Sequence, residues 1–528
     1  MSSANKSAFA EAPIHEVVEE LLEEIRALYT LDEIPWVIGY SGGKDSTAVL
    51  QLVWMAIAGL EEAQRQKPVH VISTDTLVEN PIVARWVSNS LVKMGEAAEA
   101  AGLPIHPNRL TPTVRNSFWV NLMGKGYPAP RHKFRWCTER LKISPSNQFI
   151  LDVVQDSGEA ILVLGTRKAE SSRRAATMAK HEKKRVRERL SPNSRLPNCQ
   201  IYSPVEDWVN DDVWLYLMQF TNPWGYPNKD LLTMYSGATE DGECPLVVDT
   251  TTPSCGDSRF GCWVCTLVNQ DKSMAAMVQN DEEKEWMLPL LEFRDLLAVK
   301  NEEGKWNDRG LRDFRRINGS LTEFNGKLVH GPYRQTHREF LLTRLLETQR
   351  WLRENGPDYV KDVELITLDE LEEIRRMWVV EKHEIEDRLP KIYEEALGEP
   401  FPGQPFHETS VLGHRELALL HETCAERREG EAGDELYGLV RGLLDVEQRF
   451  RTMTKRKGLY QELDSILDFY LYDDEDDAQE AMEARTERKE RAMAAVDELT
   501  PQPPGEQELT VTPPSAAQPG LPYEETGA

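Results

Sequence analysis

At 528 residues and 40% apolar content, the chain is long enough for roughly two to four domains with cores of their own, and no run approaches the eighteen apolar residues of a membrane span. A formal charge of -27 argues against a protein that coats nucleic acid through general electrostatics, because that needs clustered Lys and Arg. The charge is uneven: residues 125–190 carry 16 Lys or Arg against 7 Asp or Glu, so one basic region sits in an acidic chain and is expected to bind a polyanion.

The N-terminus MSSANKSAFAEAP has no basic-then-apolar export pattern, and a cytoplasmic protein with no membrane partner is expected. Residues 15–28 place Val17, Val18, Leu21, Leu22, Ile25 and Leu28 on one helical face, which reads as a packing helix. Then comes WVIGYSGGKDSTAVL, residues 36–50. Trp36 to Ile38 suit a buried parallel strand, Thr47 to Leu52 begin an apolar helix face, and Gly39 to Asp45 must make the turn between them. Gly42 and Gly43 let the backbone approach an anion, the helix start offers N–H groups, and Ser41, Lys44 and Ser46 add hydroxyls and a charge. Asp45 separates Lys44 from Ser46, so this is not a Walker A loop, in which Gly-Lys-Ser/Thr is continuous.

VHVISTDT (69–76) predicts a second strand ending at Asp75, followed by a helix over 81–101. ILVLGTR (161–167) predicts a third strand after a helix at 145–156, and QIYSPV (200–205) supplies a further strand end. Strands alternating with helices imply a doubly wound, open parallel α/β sheet whose ligands sit beyond the carboxyl ends of the strands. Ser41 to Ser46, Asp75, and Gly165, Thr166 and Arg167 all fall at such ends.

Between these strands, GKGYPAPRHKFRWCTERLKISP (124–145) surrounds Cys137 with six cations within a dozen residues, which is expected to lower the thiol's pKa. GTRKAESSRR (165–174) sets Arg167, Lys168, Arg173 and Arg174 after a strand, a pattern suited to clamping the β- and γ-phosphates or a second anion. MAKHEKKRVRERL (178–190) reads either as a basic arm reaching a larger polyanion or as a surface helix. SPVEDWVNDDVWLYL (203–217) starts a helix at Asn210 or Asp211 and buries Val213, Trp214 and Leu217. Four of the seven cysteines, Cys244, Cys255, Cys262 and Cys265, then lie within 22 residues; their density points to metal or redox chemistry, and spacing alone leaves zinc and iron–sulfur both open. From about Asp271 the composition turns to charged helices with a capping box at Thr367 to Glu370, further helices over 410–428 and 434–470, and scattered histidines without a catalytic constellation. The acidic run DDEDD (473–477) reads as solvated, and residues 501–528 hold seven prolines and are expected to be disordered. Three parts result: a nucleotide and cysteine domain at 1–275, a helical accessory domain at 276–475, and an acidic, Pro-rich tail at 476–528.

SGGKDS resembles the SGGxDS signature of PP-loop ATP pyrophosphatases, of the adenine nucleotide alpha hydrolase-like fold, which cleave ATP between its α and β phosphates. PVEDWVNDDVW, GTRKAESSRR and WCTERLKISP resemble elements of adenosine-phosphosulfate and phosphoadenosine-phosphosulfate reductases, with Trp136 where the first cysteine of a pair would stand. Together with STDTLVENP and the cysteine cluster, these motifs are similar to the DndC family, the sulfurtransferases of bacterial DNA phosphorothioation, over roughly residues 15–300. The resemblance implies conversion of ATP to AMP and pyrophosphate with Mg2+, replacement of a non-bridging DNA phosphate oxygen by sulfur, and a 4Fe-4S cluster on Cys137, Cys255, Cys262 and Cys265, with Cys244 a substitute ligand or sulfur carrier. It also implies a cysteine desulfurase as sulfur donor and other Dnd proteins as partners of this DNA-modification enzyme. The expected nucleotide contacts are Ser41, Gly42, Gly43, Lys44, Asp45, Ser46, Asp75, Gly165, Thr166, Arg167 and Arg173, with Mg2+ near Asp45 and Asp75. Lys44, Asp45, Arg167 and Cys137 are the expected catalytic groups. A reductase acting on adenylylated sulfate, a tRNA thiolase and a nucleotide-regulated scaffold are the competing readings.

Overall fold

Six strands form one sheet in the order β3-β2-β1-β4-β6-β5: β1 Trp36–Gly39, β2 Val69–Thr74, β3 Ile105–Leu110, β4 Ala160–Val163, β5 Ser191–Pro192 and β6 Cys199–Tyr202. All neighbours are parallel except the edge pair β5 and β6. This is a computed structural model, and it describes residues 6–185, 187–238, 260–404, 412–451 and 453–499. The doubly wound fold expected above is present. The chain runs outward from β1 through β2 to β3, then returns to the other side of β1 as β4, so the order reverses between β1 and β4. In open α/β sheets that switch point is where ligands bind.

The strands hold because their apolar residues alternate between two covered faces. Trp36, Ile38, Val69, Val71, Ile161 and Val163 pack against helices α1 (Ile14–Thr30), α2 (Lys44–Ala58), α3 (Pro81–Ala100) and, further along the chain, one at Asn210–Gln219. Val37, Ile72 and Cys199 meet Ile150 and Val153 of α4 (Ser144–Ser157) on the other face. Two edge strands escaped the sequence pattern. β3 reads IHPNRL, a polar segment with a proline, tolerable only at a sheet edge, and the two-residue β5 carries no periodicity at all.

α5 (Ser172–Glu182) follows the β4 loop, and α6 (Asn210–Gln219) and α7 (Asn228–Gly237) complete this half. The supposed basic arm is neither free nor extended: after α5 the chain turns back onto β5, and Arg185, Arg187 and Arg189 are tied to Glu206, Asp32 and Glu24.

Beyond the sheet a second core joins residues 118–141 and 263–264 to the helices α8 (Lys272–Asn280), α9 (Leu288–Leu297), α10 (Gln335–Asn355), α11 (Leu368–Arg376) and α12 (Leu389–Leu397). Trp119 donates to the Leu365 carbonyl at 2.6 Å and Trp378 to that of Met123 at 2.7 Å, so the helical region grips the segment before Cys137. In this core Arg338 and Glu384 form a pair that is almost wholly enclosed. Arg338→Ala takes the hydrogen-bonded guanidinium from the buried Glu384 and is expected to cost up to about 3–5 kcal/mol, read as a lowered thermal midpoint; an unchanged midpoint would contradict the pairing.

Four more helices follow: α13 (His414–Arg427), α14 (Glu431–Arg451), α15 (Leu459–Phe469) and α16 (Glu475–Leu499). His383 and His421, two of the scattered histidines, bond Asp445 and Asp434. The segment expected to open an acidic tail is instead the start of α16. Asp474 accepts from the Asp477 N–H as a cap, and negative charge favours a helix N-terminus. Residues 500–528 lie outside the described residues. Among the described residues no helix is long and apolar enough to cross a membrane.

Candidate active site

The turn after β1 is built by its own serines. The Ser41 N–H and hydroxyl both meet the Ser46 hydroxyl, at 3.2 and 3.1 Å, and the Ser46 hydroxyl donates to the Gly43 carbonyl at 3.0 Å. Gly42 has φ +73, and a Cβ there would stand 2.4 Å from Val87, so only glycine fits. Gly43 caps α2 with no side chain bonded to the helix start, which leaves donors of the first turn for an anion. Lys44 lies 3.4 Å from Asp45 and over the ring of Tyr235.

β4 supplies the opposite wall. A Cβ on Gly165 would lie 2.8 Å from the Asp45 carbonyl, so the start of α2 rests directly on this glycine. Two residues on, Arg167 donates from Nε to Asp45 at 2.7 Å and from a terminal nitrogen to the Trp208 carbonyl at 3.3 Å, and it is only 4% exposed. Glu170 fixes that loop by accepting from the Arg167 backbone N–H at 2.9 Å.

The cysteines assemble beyond β2. Within GCWVC the inner Trp263 and Val264 are buried in the helical core, and Cys262 and Cys137 pack against that core. Backbone bonds from Trp263 to the Val78 carbonyl at 3.0 Å and from Asn80 to the Gly261 carbonyl at 3.1 Å pin this turn to the end of β2. Cys262 then meets the Thr76 hydroxyl at 3.4 Å and Glu79 at 3.8 Å, and Glu79 pairs with Lys142 at 3.0 Å. Cys137 is near enough to Cys265 for charge on one to oppose ionisation of the other. A single π-turn, Thr138–Ile143, begins right after Cys137, a local irregularity often found at functional sites. Trp136, at the position of the missing cysteine, is buried, stacks on Phe118 and donates to the Pro128 carbonyl at 3.0 Å.

A family match covers the six-stranded sheet and leaves out α1, α7 and the turn carrying Cys262 and Cys265. Residues 35–224 match the phosphoadenosine phosphosulfate reductase domain. An uncharacterised protein of Methanocaldococcus jannaschii is 25% identical over 200 residues, a span of 38% of this chain and 35% of that protein, so the chain covers about a third of that relative's length. Two solved structures align loosely. Candida glabrata FMN adenylyltransferase, in complex with FAD and inorganic pyrophosphate, is 10% identical, covers 48% of this chain and 73% of its own, and has a TM-score of 0.24. The U34-tRNA thiolase NcsA from Methanococcus maripaludis, with its 4Fe-4S cluster, is 13% identical over 57% of this chain and 89% of its own, with a TM-score of 0.25. Likenesses that distant carry no information about chemistry. The domain match and the open, mostly parallel sheet agree on a fold like that of the phosphoadenosine phosphosulfate reductase domain over residues 35–224.

In this reductase-like domain the expected residues are not all where the motifs suggest. Ser41, Gly42, Gly43, Lys44, Asp45, Ser46, Gly165 and Arg167 form one contiguous site. Thr166 turns aside to bond Ser203 at 2.9 Å, and Arg173 lies on a separate cavity. Lys168 faces Glu182, Glu206 and Asp207 and is held by them, away from the phosphate loop. Asp75 accepts from Leu77 and pairs with Arg109, so a Mg2+ ion at Asp75 must share or displace that guanidinium. Cys137, Cys262 and Cys265 come together, while Cys244 and Cys255 lie outside the described residues. Among the described residues no three His, Cys, Asp or Glu side chains converge tightly enough to hold a metal ion.

One expectation is reversed. The cations around Cys137 do not lower its pKa: burial pushes this thiol up, with Arg135 only a weak counterweight, and burial next to Glu79 raises Cys262 to about 12. Buried thiols that resist ionisation are poor free nucleophiles, and a bound metal is what turns such groups into thiolates.

Sequence reasoning missed Tyr235, Thr76 and Glu79. Tyr235 sits against Gly43, packs under Lys44, and meets Phe260 edge to face at 4.7 Å, so it physically joins the phosphate loop to the turn carrying Cys262. Nothing in MYSG around Tyr235 signals this, whereas Thr76 and Glu79 stood within the quoted STDTLVENP.

Proposed function

We propose that this protein is an ATP-dependent sulfurtransferase of DNA phosphorothioation, which activates a DNA backbone phosphate oxygen with ATP and replaces that oxygen by sulfur. The observation that supports it is the joint carried by Tyr235: a phosphate-binding loop and a group of thiols share one edge of the sheet. ATP lies across Ser41 to Ser46, its phosphates on the uncapped start of α2 and on Lys44. Asp45 orients Arg167 and offers a carboxylate oxygen to Mg2+, and the fixed guanidinium opposes the charge that grows on the departing pyrophosphate. The acceptor oxygen attacks the α-phosphorus, pyrophosphate leaves, and sulfur delivered from the thiol side then displaces AMP from the acceptor phosphorus.

Cys137, Cys262 and Cys265 lie near one another and, with Cys255 as the fourth ligand, would hold a 4Fe-4S cluster as thiolates. A 4Fe-4S cluster, when bound there, supplies the redox and sulfur-handling chemistry. The remaining work falls to the chain: Thr76 and Glu79 position Cys262, and Trp136 anchors the strand of backbone beside Cys137. A cysteine desulfurase loads the sulfur, and other Dnd proteins present the DNA.

Anaerobic purification followed by iron and sulfide analysis and a visible spectrum tests this. Iron and sulfide in equal amounts are expected, with iron lost in Cys262→Ser and Cys137→Ser. Zinc in place of iron would remove the sulfur-transfer argument and leave the ATP site standing. The domain match favours a second reading, a reductase of adenylylated sulfate, which predicts thiol-dependent sulfite release with no DNA requirement.

A further inference from the structure

A cavity of about 430 Å3 opens beneath α5, beside the ends of β4 and β6. Its floor is apolar, formed by Leu164 and Ile201 from the strand ends and Met178 from α5. Its rim holds Arg173, Arg174, Arg185 and Arg189, with Glu206 as the one carboxylate among the lining residues. Three of those arginines are already neutralised: Arg174 by Glu170 at 2.8 Å, Arg185 by Glu206 at 2.9 Å and Arg189 by Glu24 at 2.9 Å. Arg173 has no acidic partner among the described residues. The cavity also touches the phosphate loop through a single strand end: Gly165 rests on Asp45, while its neighbours Leu164 and Thr166 line the cavity. Pockets of this size hold small organic groups, and an apolar floor with an uncommitted guanidinium at the rim matches a flat ring bearing a phosphate.

We propose that this cavity is a strand-binding subsite, in which one nucleotide of a nucleic-acid acceptor packs its base on Leu164, Met178 and Ile201 and leaves its phosphate on Arg173. The inference rests on the sulfurtransferase reading, because it gives the acceptor strand a seat one residue away from the ATP phosphates.

The test uses the full chain with 5-iodouracil-labelled DNA and RNA of one sequence, ultraviolet cross-linking and peptide mapping, together with fluorescence anisotropy on Arg173→Glu and Met178→Trp. Cross-links to residues 172–190 are expected, with binding weakened at least about tenfold in both variants. The DNA and RNA arms tell which strand is taken. Cross-links confined to other segments, wild-type affinity in both variants, or labelling of α5 by a photoactivated ATP analogue would overturn the proposal. Strand binding in the cavity without pyrophosphate release would uphold the subsite and refute the sulfurtransferase reading. Pyrophosphate release with no contact at α5 would do the reverse.

Discussion

Asp45→Ala is expected to lower pyrophosphate release from ATP by about a hundredfold or more, the loss typical when one preorganised charge partner is removed from a reacting site. Two effects combine. The substitution removes the oxygen proposed to hold Mg2+, and it strips Arg167 of its carboxylate while that guanidinium stays buried against the Trp208 carbonyl. An unpartnered guanidinium seeks another acceptor, and its proposed aim at the departing phosphates is lost. Asp45→Asn separates the two effects, since its carbonyl oxygen still accepts from Arg167 but carries no charge. Activity in Asp45→Asn close to wild type would assign Asp45 a purely orienting role, whereas equal losses in both variants would assign it the metal. Wild-type pyrophosphate release by Asp45→Ala, measured with a coupled pyrophosphatase assay, would refute the assignment of this loop.

Gly165→Ala is the second large effect. The added methyl would stand 2.8 Å from the carbonyl carbon and oxygen of Asp45 and 3.1 Å from the Ser46 nitrogen, and all three are backbone atoms that cannot rotate away. The start of α2 must therefore lift from β4. Overpacking of this kind costs about 1–3 kcal/mol, and because the displaced backbone is the proposed phosphate cradle, ATP affinity should fall about tenfold for each 1.4 kcal/mol lost from binding. Gly310→Ala, where nothing lies within 4 Å of the new methyl, is the control and should bind ATP as the natural chain does. Titration calorimetry showing equal ATP affinity in the two variants would sink the packing argument.

How much of this was legible in the sequence depended on distance along the chain. β1, β2 and β4, the helix at Asn210 and the capping box at Thr367 all follow from local periodicity and turn chemistry, and they stand where the pattern puts them. The edge strand β3 did not show, because an exposed polar edge needs no alternation. Pairings across long separations were equally invisible. Arg167 and Asp45 are 122 residues apart, so the arginine read as a free phosphate ligand when it is in fact the partner of the loop's own acid. Lys168 looked like a second clamp and is spent on three carboxylates instead. Clustered cations suggested an activated Cys137, but burial, which a linear motif does not reveal, outweighs them. Tyr235, the link between the two halves of the site, lies in a stretch with no motif of its own.

The proposed function requires ATP cleavage and sulfur transfer to occur at one site and to act on one DNA phosphate. Its most direct measurement is an anaerobic reaction of the full chain with ATP, Mg2+, DNA, cysteine and a cysteine desulfurase, followed by nuclease digestion and mass spectrometry of the nucleotides. Phosphorothioate-linked dinucleotides are expected, with AMP and pyrophosphate formed in step with the sulfur incorporated and none of the three in Asp45→Ala. AMP and pyrophosphate released without sulfur in the DNA, or sulfite released from adenylylated sulfate with no need for DNA, would contradict it.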